Sequence, residues 1–141
     1  MSNNDAATTT VIGVHETVLY VPDIRADSHF YQRVVGLRCV GTPDAGGVAL
    51  RLPTGDAILL LFTVEHARQT GRHVPAHGAT GPGHVAFRVP PGTLGAWRAH
   101  LESSRVELEL ERDWDCGGRS IYVRDPAGNS VDFVEGTIWP A

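Results

Sequence analysis

A histidine opens a stretch of sequence that is otherwise typical of a buried β-strand. The stretch is GPGHVAFRVP, residues 81–90, and its histidine is His84. Because successive strand side chains point to opposite faces, His84 and Arg88 share one face, and the apolar Val85 and Phe87 share the other. A polar face of this kind either meets solvent or lines a cavity that binds a ligand, and the stretch alone leaves both interpretations open.

Three other histidines and both cysteines are weaker candidates for chemistry. His66, His73 and His77 include an H-x3-H spacing, but their segment contains Gly and Pro and shows no helical period. We therefore expect no metal site there, because nothing in the pattern places two of these rings on one face. Cys39 and Cys116 stand far apart in the sequence, and we expect two reduced, unreactive thiols.

Aromatic residues supply a second set of candidates. Tyr122, Trp114 and Trp139 could stack on a flat ligand, and packing in the core or in a dimer interface is the alternative for each of them. Trp97 and Leu101 share one stripe of a predicted helix, so we expect both to contribute to the core.

Composition is that of a soluble globular protein. The 141 residues carry a formal net charge of -4 and are 42% hydrophobic, which argues against nucleic acid or an anionic membrane as a partner. No apolar run approaches the length of a membrane span, and the N-terminus lacks the features of a signal peptide. We therefore expect a cytoplasmic protein.

The predicted elements repeat. The order strand–helix–strand–strand–strand occurs twice, and ETVLYVP (16–22) aligns with HVAFRVP (84–90) at an offset of 84 − 16 = 68 residues. The predicted organisation is a disordered tail (1–10), a first module (11–63), a linker (64–81), a second module (82–136) and a C-terminal tail (137–141), which together form one domain.

Three boundaries are predicted near the candidate residues. The β-branched run over 11–21 predicts one long first strand. Pro91 is placed to open the second helix, since proline suits the first helical position. The alternation of apolar and charged residues over 105–112 predicts a half-exposed strand.

Three motifs carry a family resemblance. The stretches YVPDIRADSHFYQRVVGL, GPGHVAF and GGRSIYVRDPAGNSVDF resemble the vicinal oxygen chelate superfamily. That superfamily includes glyoxalase I, extradiol dioxygenases, methylmalonyl-CoA epimerase, fosfomycin-resistance thiol transferases and bleomycin-resistance proteins. The resemblance spans nearly the whole chain. It implies an α+β fold with two tandem βαβββ modules, whose curved mixed sheets surround a cavity and whose helices lie on the outer faces.

The resemblance also implies metal ligands on the first and fourth strands of each module. Those positions are Glu16 and either Leu59 or Leu60 in the first module, and His84 and Asp132 in the second. The set therefore has three ligands and one apolar position. It also has aspartate where glutamate is usual, and glutamate where histidine is common.

One imidazole and two carboxylates favour Mn²⁺, Fe²⁺, Mg²⁺, Ni²⁺ or Zn²⁺, and three protein ligands leave coordination positions open for a substrate. The alternative is a metal-free pocket in which Arg88 and Arg124 neutralise Glu16 and Asp132. Members of the bleomycin-resistance branch bind their ligands without a metal.

Two functions follow as expectations. The first is a divalent-metal enzyme of lyase, isomerase or epimerase type that acts on a small molecule with vicinal oxygens, with Glu16 as general base. The second is a metal-free protein that sequesters a small molecule such as a drug. The resemblance implies a homodimer in both cases. The predicted substrate-binding residues are Tyr20, Arg88, Trp114, Tyr122 and Arg124.

Overall fold

The computed structural model describes residues 9–141, and of the predicted N-terminal tail residues 1–8 lie outside the described part. Within these residues, eight strands and three α-helices follow one another. They are β1 (Glu16–Tyr20), α1 (Ile24–Phe30), β2 (Arg38–Val40), β3 (Gly47–Arg51), β4 (Ile58–Phe62), α2 (Val64–Ala67), β5 (His84–Arg88), α3 (Leu94–Ser103), β6 (Leu110–Asp113), β7 (Arg119–Arg124) and β8 (Ser130–Glu135). A π-helical turn, Tyr31–Val35, continues α1.

The strands form two sheets with the same topology. The first sheet has the order β1-β4-β3-β2 and the second has the order β5-β8-β7-β6. In each sheet the first strand pairs in parallel with the fourth, and the other neighbours pair antiparallel. The predicted α+β fold with a repeated module is therefore confirmed. The exact bounds of the modules, linker and tails remain predictions.

One hydrophobic core joins the two halves. Each sheet buries one face beneath a helix, α1 on the first sheet and α3 on the second, and the apolar residues of both halves belong to a single cluster. Tyr31 is fully buried within this cluster, and Leu101 of α3 is 1% exposed. Trp97 stacks on Phe133 with 4.3 Å between the ring centroids. Burial of these large rings removes water from the junction and stabilises both halves together.

Three boundaries differ from the sequence prediction. The strand predicted over 11–21 begins only at Glu16, and the residues before it are exposed. The strand predicted over 105–112 is reduced to β6, which begins at Leu110. The prediction that Pro91 opens the second helix is wrong, because Gly92 adopts a φ of 84° and interrupts the helical conformation. The helix begins at Leu94, and the Glu135 carboxylate accepts hydrogen bonds from the N–H groups of Gly92, Thr93 and Leu94 at its start.

Within residues 9–141, no helix combines the length and the apolar character that crossing a bilayer requires.

Both long helices end in a left-handed residue, but with different side chains. The π-helical turn after α1 ends at Gly36, which has a φ of 92°, whereas the turn after α3 places Arg105 at a φ of 59°. The N–H of Val106 donates to the Leu101 carbonyl oxygen at 2.9 Å, which completes the end of α3. A residue with a Cβ is strained in this conformation, and glycine is not.

We expect Arg105→Gly to stabilise the protein by about 1 kcal/mol, because glycine removes the cost of the left-handed conformation. The reciprocal change, Gly36→Arg, should destabilise it by a similar amount. Urea denaturation of the two variants measures both effects. Loss of stability in Arg105→Gly would show that contacts of the arginine side chain outweigh the backbone strain.

Candidate metal and substrate site

Each sheet has an open face opposite its helix, and the strand register fixes which residues lie on it. On the first sheet, Val18 is paired with Leu60, and Tyr20 is paired with Phe62. Glu16 lies on the same face of β1 as Val18 and Tyr20, because residues two apart share a face. The middle of this open face is therefore apolar, with one carboxylate at one end.

The open face of the second sheet carries the polar residues. His84, Ala86 and Arg88 lie on it from β5, and Asp132 is the register partner of both Ala86 and Tyr122. The same register makes Leu60 of the first sheet the structural equivalent of Asp132. Leu59 points into the core and is 1% exposed, so the apolar fourth-strand position is Leu60.

His84 and Asp132 form a close pair on this face. The His84 Nε2 atom lies 3.3 Å from the Asp132 Oδ1 atom, with the imidazole half-exposed and the carboxylate buried. The other ring nitrogen, Nδ1, lies 3.1 Å from the Ser130 carbonyl oxygen. A carbonyl oxygen only accepts hydrogen bonds, so Nδ1 carries a proton and donates it.

The facing atoms of this pair suit a positive charge between them. When His84 is neutral, its Nε2 lone pair faces Asp132 Oδ1, which is buried and accepts no hydrogen bond from the described residues. Two lone pairs at this distance repel unless a proton or a metal ion lies between them. An imidazole nitrogen and a carboxylate oxygen, oriented by a backbone carbonyl behind the ring, suit a divalent cation.

Burial raises the pKa of the Asp132 carboxyl above its ordinary value, and the nearby His84 offsets part of that rise. The charged carboxylate is thus disfavoured at this position unless a cation accompanies it. The burial of Asp132 and the geometry of the pair therefore both favour a cation between His84 and Asp132.

Within one chain, Glu16 does not lie close enough to His84 and Asp132 to share a metal ion with them. Among residues 9–141, no three His, Cys, Asp or Glu side chains lie close enough together to hold a metal ion. The structure therefore brings together two of the three residues predicted as ligands. Glu16 is exposed at the start of β1, which lies at the edge of the first sheet, and His84 is at the edge of the second.

Arg124 and Arg88, the predicted neutralising pair, are differently engaged. Arg124 binds the Glu109 carboxylate through two nitrogens at 2.7 and 3.1 Å, so its guanidinium is already paired with another carboxylate. In the described part of the chain, Arg88 forms no ion pair. It lines a groove with Ala86 and the exposed Trp139. Arg88 is therefore free to bind an anionic group.

The other predicted substrate-binding residues are partly buried. Trp114 donates from Nε1 to Ser120 Oγ at 2.9 Å, and the Arg112 guanidinium lies 4.0 Å from its ring centroid. One face of that indole is therefore already covered. Tyr122 lies on the open face beside Asp132, while Tyr20 lies on the open face of the other sheet.

A buried polar cluster lies at the junction of the halves and was not predicted from the sequence. Its members are Asp27, Tyr31, Asp125 and Asn129. Tyr31 Oη donates to Asp125 Oδ2 at 2.8 Å, and Asn129 donates to both oxygens of the same carboxylate. Asp27 lies beside it, 1% exposed, with its Oδ2 atom buried and unpartnered among the described residues. Burial, followed by the charge of Asp125, raises the pKa of Asp27 to about 7. The DPAGN turn and the predicted helix contained these residues, but nothing in the sequence paired them.

Comparison with known proteins gives a consistent result. The model of the Glyoxalase/Bleomycin resistance protein/Dioxygenase superfamily matches residues 13–133. No curated protein sequence matches the chain.

Several solved structures resemble it. A lactoylglutathione lyase from Agrobacterium tumefaciens is 32% identical with a TM-score of 0.86, covering 94% of this chain and 100% of that one. A glyoxalase/bleomycin resistance protein/dioxygenase from Nocardioides is 21% identical with a TM-score of 0.71, covering 96% and 93%. The second likeness shows the fold only. The family model and the first structure confirm the resemblance seen in the motifs, and the chain belongs to the glyoxalase/bleomycin resistance protein/dioxygenase superfamily.

Proposed function

We propose that the protein is a divalent-metal-dependent lyase or isomerase acting on a small molecule with two neighbouring oxygens. The observation that carries this proposal is the His84–Asp132 pair, whose Nε2 and Oδ1 atoms lie 3.3 Å apart with a buried, unpartnered oxygen. The 32% identity to a lactoylglutathione lyase supports the glyoxalase type among the reactions of the superfamily.

The third ligand in this proposal is Glu16 from a second copy of the chain. Two features support a homodimer built through the open edges. The edge strands β1 and β5 each have one side without a strand partner in the described chain. The residues before β1 include Val11, Ile12 and Val14, which are 88%, 99% and 76% exposed. Unpaired edges and exposed apolar side chains are features that a partner chain would cover.

The residues then have separate tasks. When bound, the metal ion acts as a Lewis acid toward the two substrate oxygens. His84 and Asp132 hold that ion, and the Ser130 carbonyl keeps the imidazole in the tautomer that presents Nε2. Glu16 takes the proton from the substrate carbon next to the carbonyl and returns it to the neighbouring carbon, so no external oxidant or reductant is needed. Arg88 binds an anionic group of the substrate.

Metal analysis combined with an activity assay tests the proposal. Protein purified without chelator should contain close to one metal ion per chain. It should also convert the methylglyoxal–glutathione hemithioacetal to lactoylglutathione, followed by the ultraviolet absorbance of the thioester. Glu16→Gln should lower the rate by at least about 100-fold, a typical loss for a general base. The neighbouring His15→Gln, on an exposed residue outside β1, is the matched control.

Two other outcomes are informative. Full metal content without turnover of any vicinal-oxygen substrate would retain the site and reject the lyase assignment. Protein that takes up neither Mn²⁺, Ni²⁺ nor Zn²⁺ would reject the metal site and favour the metal-free binding function.

A further inference from the structure

The segment between the two sheets folds back onto the first sheet. Its short helix α2 ends at Ala67, whose carbonyl oxygen accepts two hydrogen bonds from residues further along. The His77 N–H donates to it at 2.9 Å, and the Arg72 guanidinium donates to it through Nη2 at 3.0 Å. One backbone oxygen thus holds Arg72 and His77 side by side, and residues predicted as a linker form part of a defined structure.

Four rings from this segment and the sheet form an end wall on the open face, which we define as Tyr20, Phe62, His66 and His77. Tyr20 Oη lies 2.5 Å from His77 Nδ1, and the Phe62 ring centroid is 5.8 Å from that of His77. The centroids of Phe62 and His66 are 5.6 Å apart. The end wall lies at the Tyr20 end of β1, opposite Glu16.

Two glycines at the start of β3, Gly46 just before the strand and Gly47 as its first residue, make room for these rings. A Cβ atom at position 46 would lie 2.6 Å from the His66 ring, and one at position 47 would lie 2.5 Å from the Phe62 ring. Real side chains do not tolerate such distances, so Gly46 and Gly47 are required for both rings to pack where they do. The end wall is therefore built into the fold.

Arg72, which lies beside the end wall, carries a positive charge that the described chain does not neutralise. Arg72 Nη1 lies 3.4 Å from His66 Nε2, and the Arg72 Nε atom is buried without a hydrogen-bond partner. Among residues 9–141, no Asp or Glu side chain pairs with Arg72, His66 or His77. A guanidinium remains protonated at any physiological pH, so its charge favours an anion placed against the end wall.

The Tyr20–His77 pair adds a free hydrogen-bond donor. If Tyr20 donates to His77 Nδ1, the imidazole Nε2 carries the remaining proton and can donate to a ligand. If Nδ1 donates instead, the tyrosine O–H is free. Either tautomer leaves one donor available for an acceptor placed against the end wall.

The length of β1 sets the distance between the two ends of the open face. Glu16 and Tyr20 are four residues apart, or about 13 Å along a strand. Between them the surface is apolar, formed by Val18 and its partner Leu60. A substrate that reaches both ends would therefore have an apolar or thioether middle and a hydrogen-bond-accepting tail.

We infer that the end wall binds the carboxylate at the tail of an extended substrate, held by His77, Tyr20 and Arg72. This inference rests on the proposed function only for which end of the substrate reacts, because carboxylate binding is measured without turnover. It assigns a recognition role to His77 and Arg72, and it makes carboxylate-bearing conjugates the preferred substrate class.

The test uses the metal-stripped protein with two probes of equal shape, 3-phenylpropionate and 3-phenylpropionamide. Binding is followed by NMR of the histidine ring signals at neutral pH. The carboxylate should bind at least about tenfold more tightly than the amide, as expected for hydrogen bonds to a charged group. The His77 ring signals should shift on its addition.

Variants assign the binding to the end wall. His77→Ala, Arg72→Gln and Tyr20→Phe should each weaken 3-phenylpropionate binding several-fold, while His73→Ala, an exposed histidine of the same segment, should not. Tyr20→Phe keeps the ring and removes only the hydroxyl, so it reports on recognition even if another variant unfolds the segment. Equal binding of the two probes, no binding of either, or equal losses in the His73 and His77 variants would overturn the inference. Absence of metal binding or of turnover, measured separately on the unaltered protein, would overturn the proposed function instead.

Discussion

Asp132→Asn is expected to abolish tight metal binding and, in the same protein, to raise the stability of the metal-free form. The two effects have opposite signs because the carboxylate is favourable only when a cation accompanies it. The buried Asp132 Oδ1 atom faces His84 Nε2 at 3.3 Å and accepts no hydrogen bond in the described structure.

An asparagine side chain removes the repulsion in the metal-free form. Its amide N–H can donate to His84 Nε2, which is an acceptor because Nδ1 donates to Ser130. One satisfied hydrogen bond in place of an unsatisfied buried group is worth about 1 kcal/mol. For a chain of this size that corresponds to a rise in Tm of roughly 3 °C.

The metal-bound form should respond in the opposite way. An amide oxygen is a weaker ligand than a carboxylate, and even residues that only support a ligand cost 10–100-fold in affinity when replaced. We therefore expect at least about 100-fold weaker binding of Mn²⁺, Ni²⁺ or Zn²⁺.

Thermal unfolding with and without chelator, together with metal titration, measures both effects. Asp115→Asn, on an exposed carboxylate of the same half, is the matched control and should change neither quantity. A metal-free Asp132→Asn protein that is less stable than the unaltered one would mean that a proton already satisfies the His84–Asp132 pair. Unchanged metal affinity would remove Asp132 from the ligand set.

The fold could be predicted from the sequence because patterns among neighbouring residues are enough to reveal the repeat. Strand alternation, turn residues and helix stripes are properties of neighbouring residues, and the 68-residue offset placed His84 and Glu16 at equivalent positions of their sheets. It could not choose between Leu59 and Leu60, because both are apolar. The strand register makes that choice.

The parts of the site that depend on distant residues were not predicted. Tyr20 and His77 are 57 positions apart, and nothing local distinguishes His77 from the exposed His73. The segment that carries His77 has no periodic pattern, since it is held by single hydrogen bonds to Ala67. Glu16 was assigned by its position in the repeat, and only the arrangement of the sheets shows that it lies apart from His84 and Asp132 within one chain.

The second large effect concerns the junction of the two halves, where Asp27→Asn is expected to remove a pH dependence of stability. Burial and the charge of Asp125, with a smaller contribution from Asp23, raise the pKa of Asp27 from 3.8 to about 7. The folded protein therefore holds a proton on Asp27 that the unfolded chain releases near pH 4. The same burial keeps the Tyr31 hydroxyl protonated, so it continues to donate to Asp125.

The sign of the effect follows from proton linkage. Between about pH 4 and 7 the folded state binds more protons than the unfolded state, so the free energy of unfolding falls as pH rises through this window. Each pH unit is worth at most about 1.4 kcal/mol, which gives a loss of a few kcal/mol across the window. Above about pH 7, Asp27 is ionised in the folded state as well, and the loss is complete.

Asparagine resembles the protonated carboxyl in shape and carries no charge. The Asp27→Asn protein should match the unaltered protein near pH 4 and exceed its stability by a few kcal/mol at pH 8. Urea denaturation between pH 4 and 8 measures the two curves. All other titratable groups are common to both proteins, so the difference between the curves isolates Asp27.

Two further variants make the interpretation specific. Asp56→Asn, on an exposed turn residue, should give a curve parallel to that of the unaltered protein. Asp125→Asn should destabilise the protein at every pH, because Asp125 accepts hydrogen bonds from Tyr31 and from the Asn129 backbone. Parallel curves for Asp27→Asn and the unaltered protein would mean that Asp27 is charged in the folded state throughout this range. The unpartnered Oδ2 atom would then face a counter-charge rather than a shared proton.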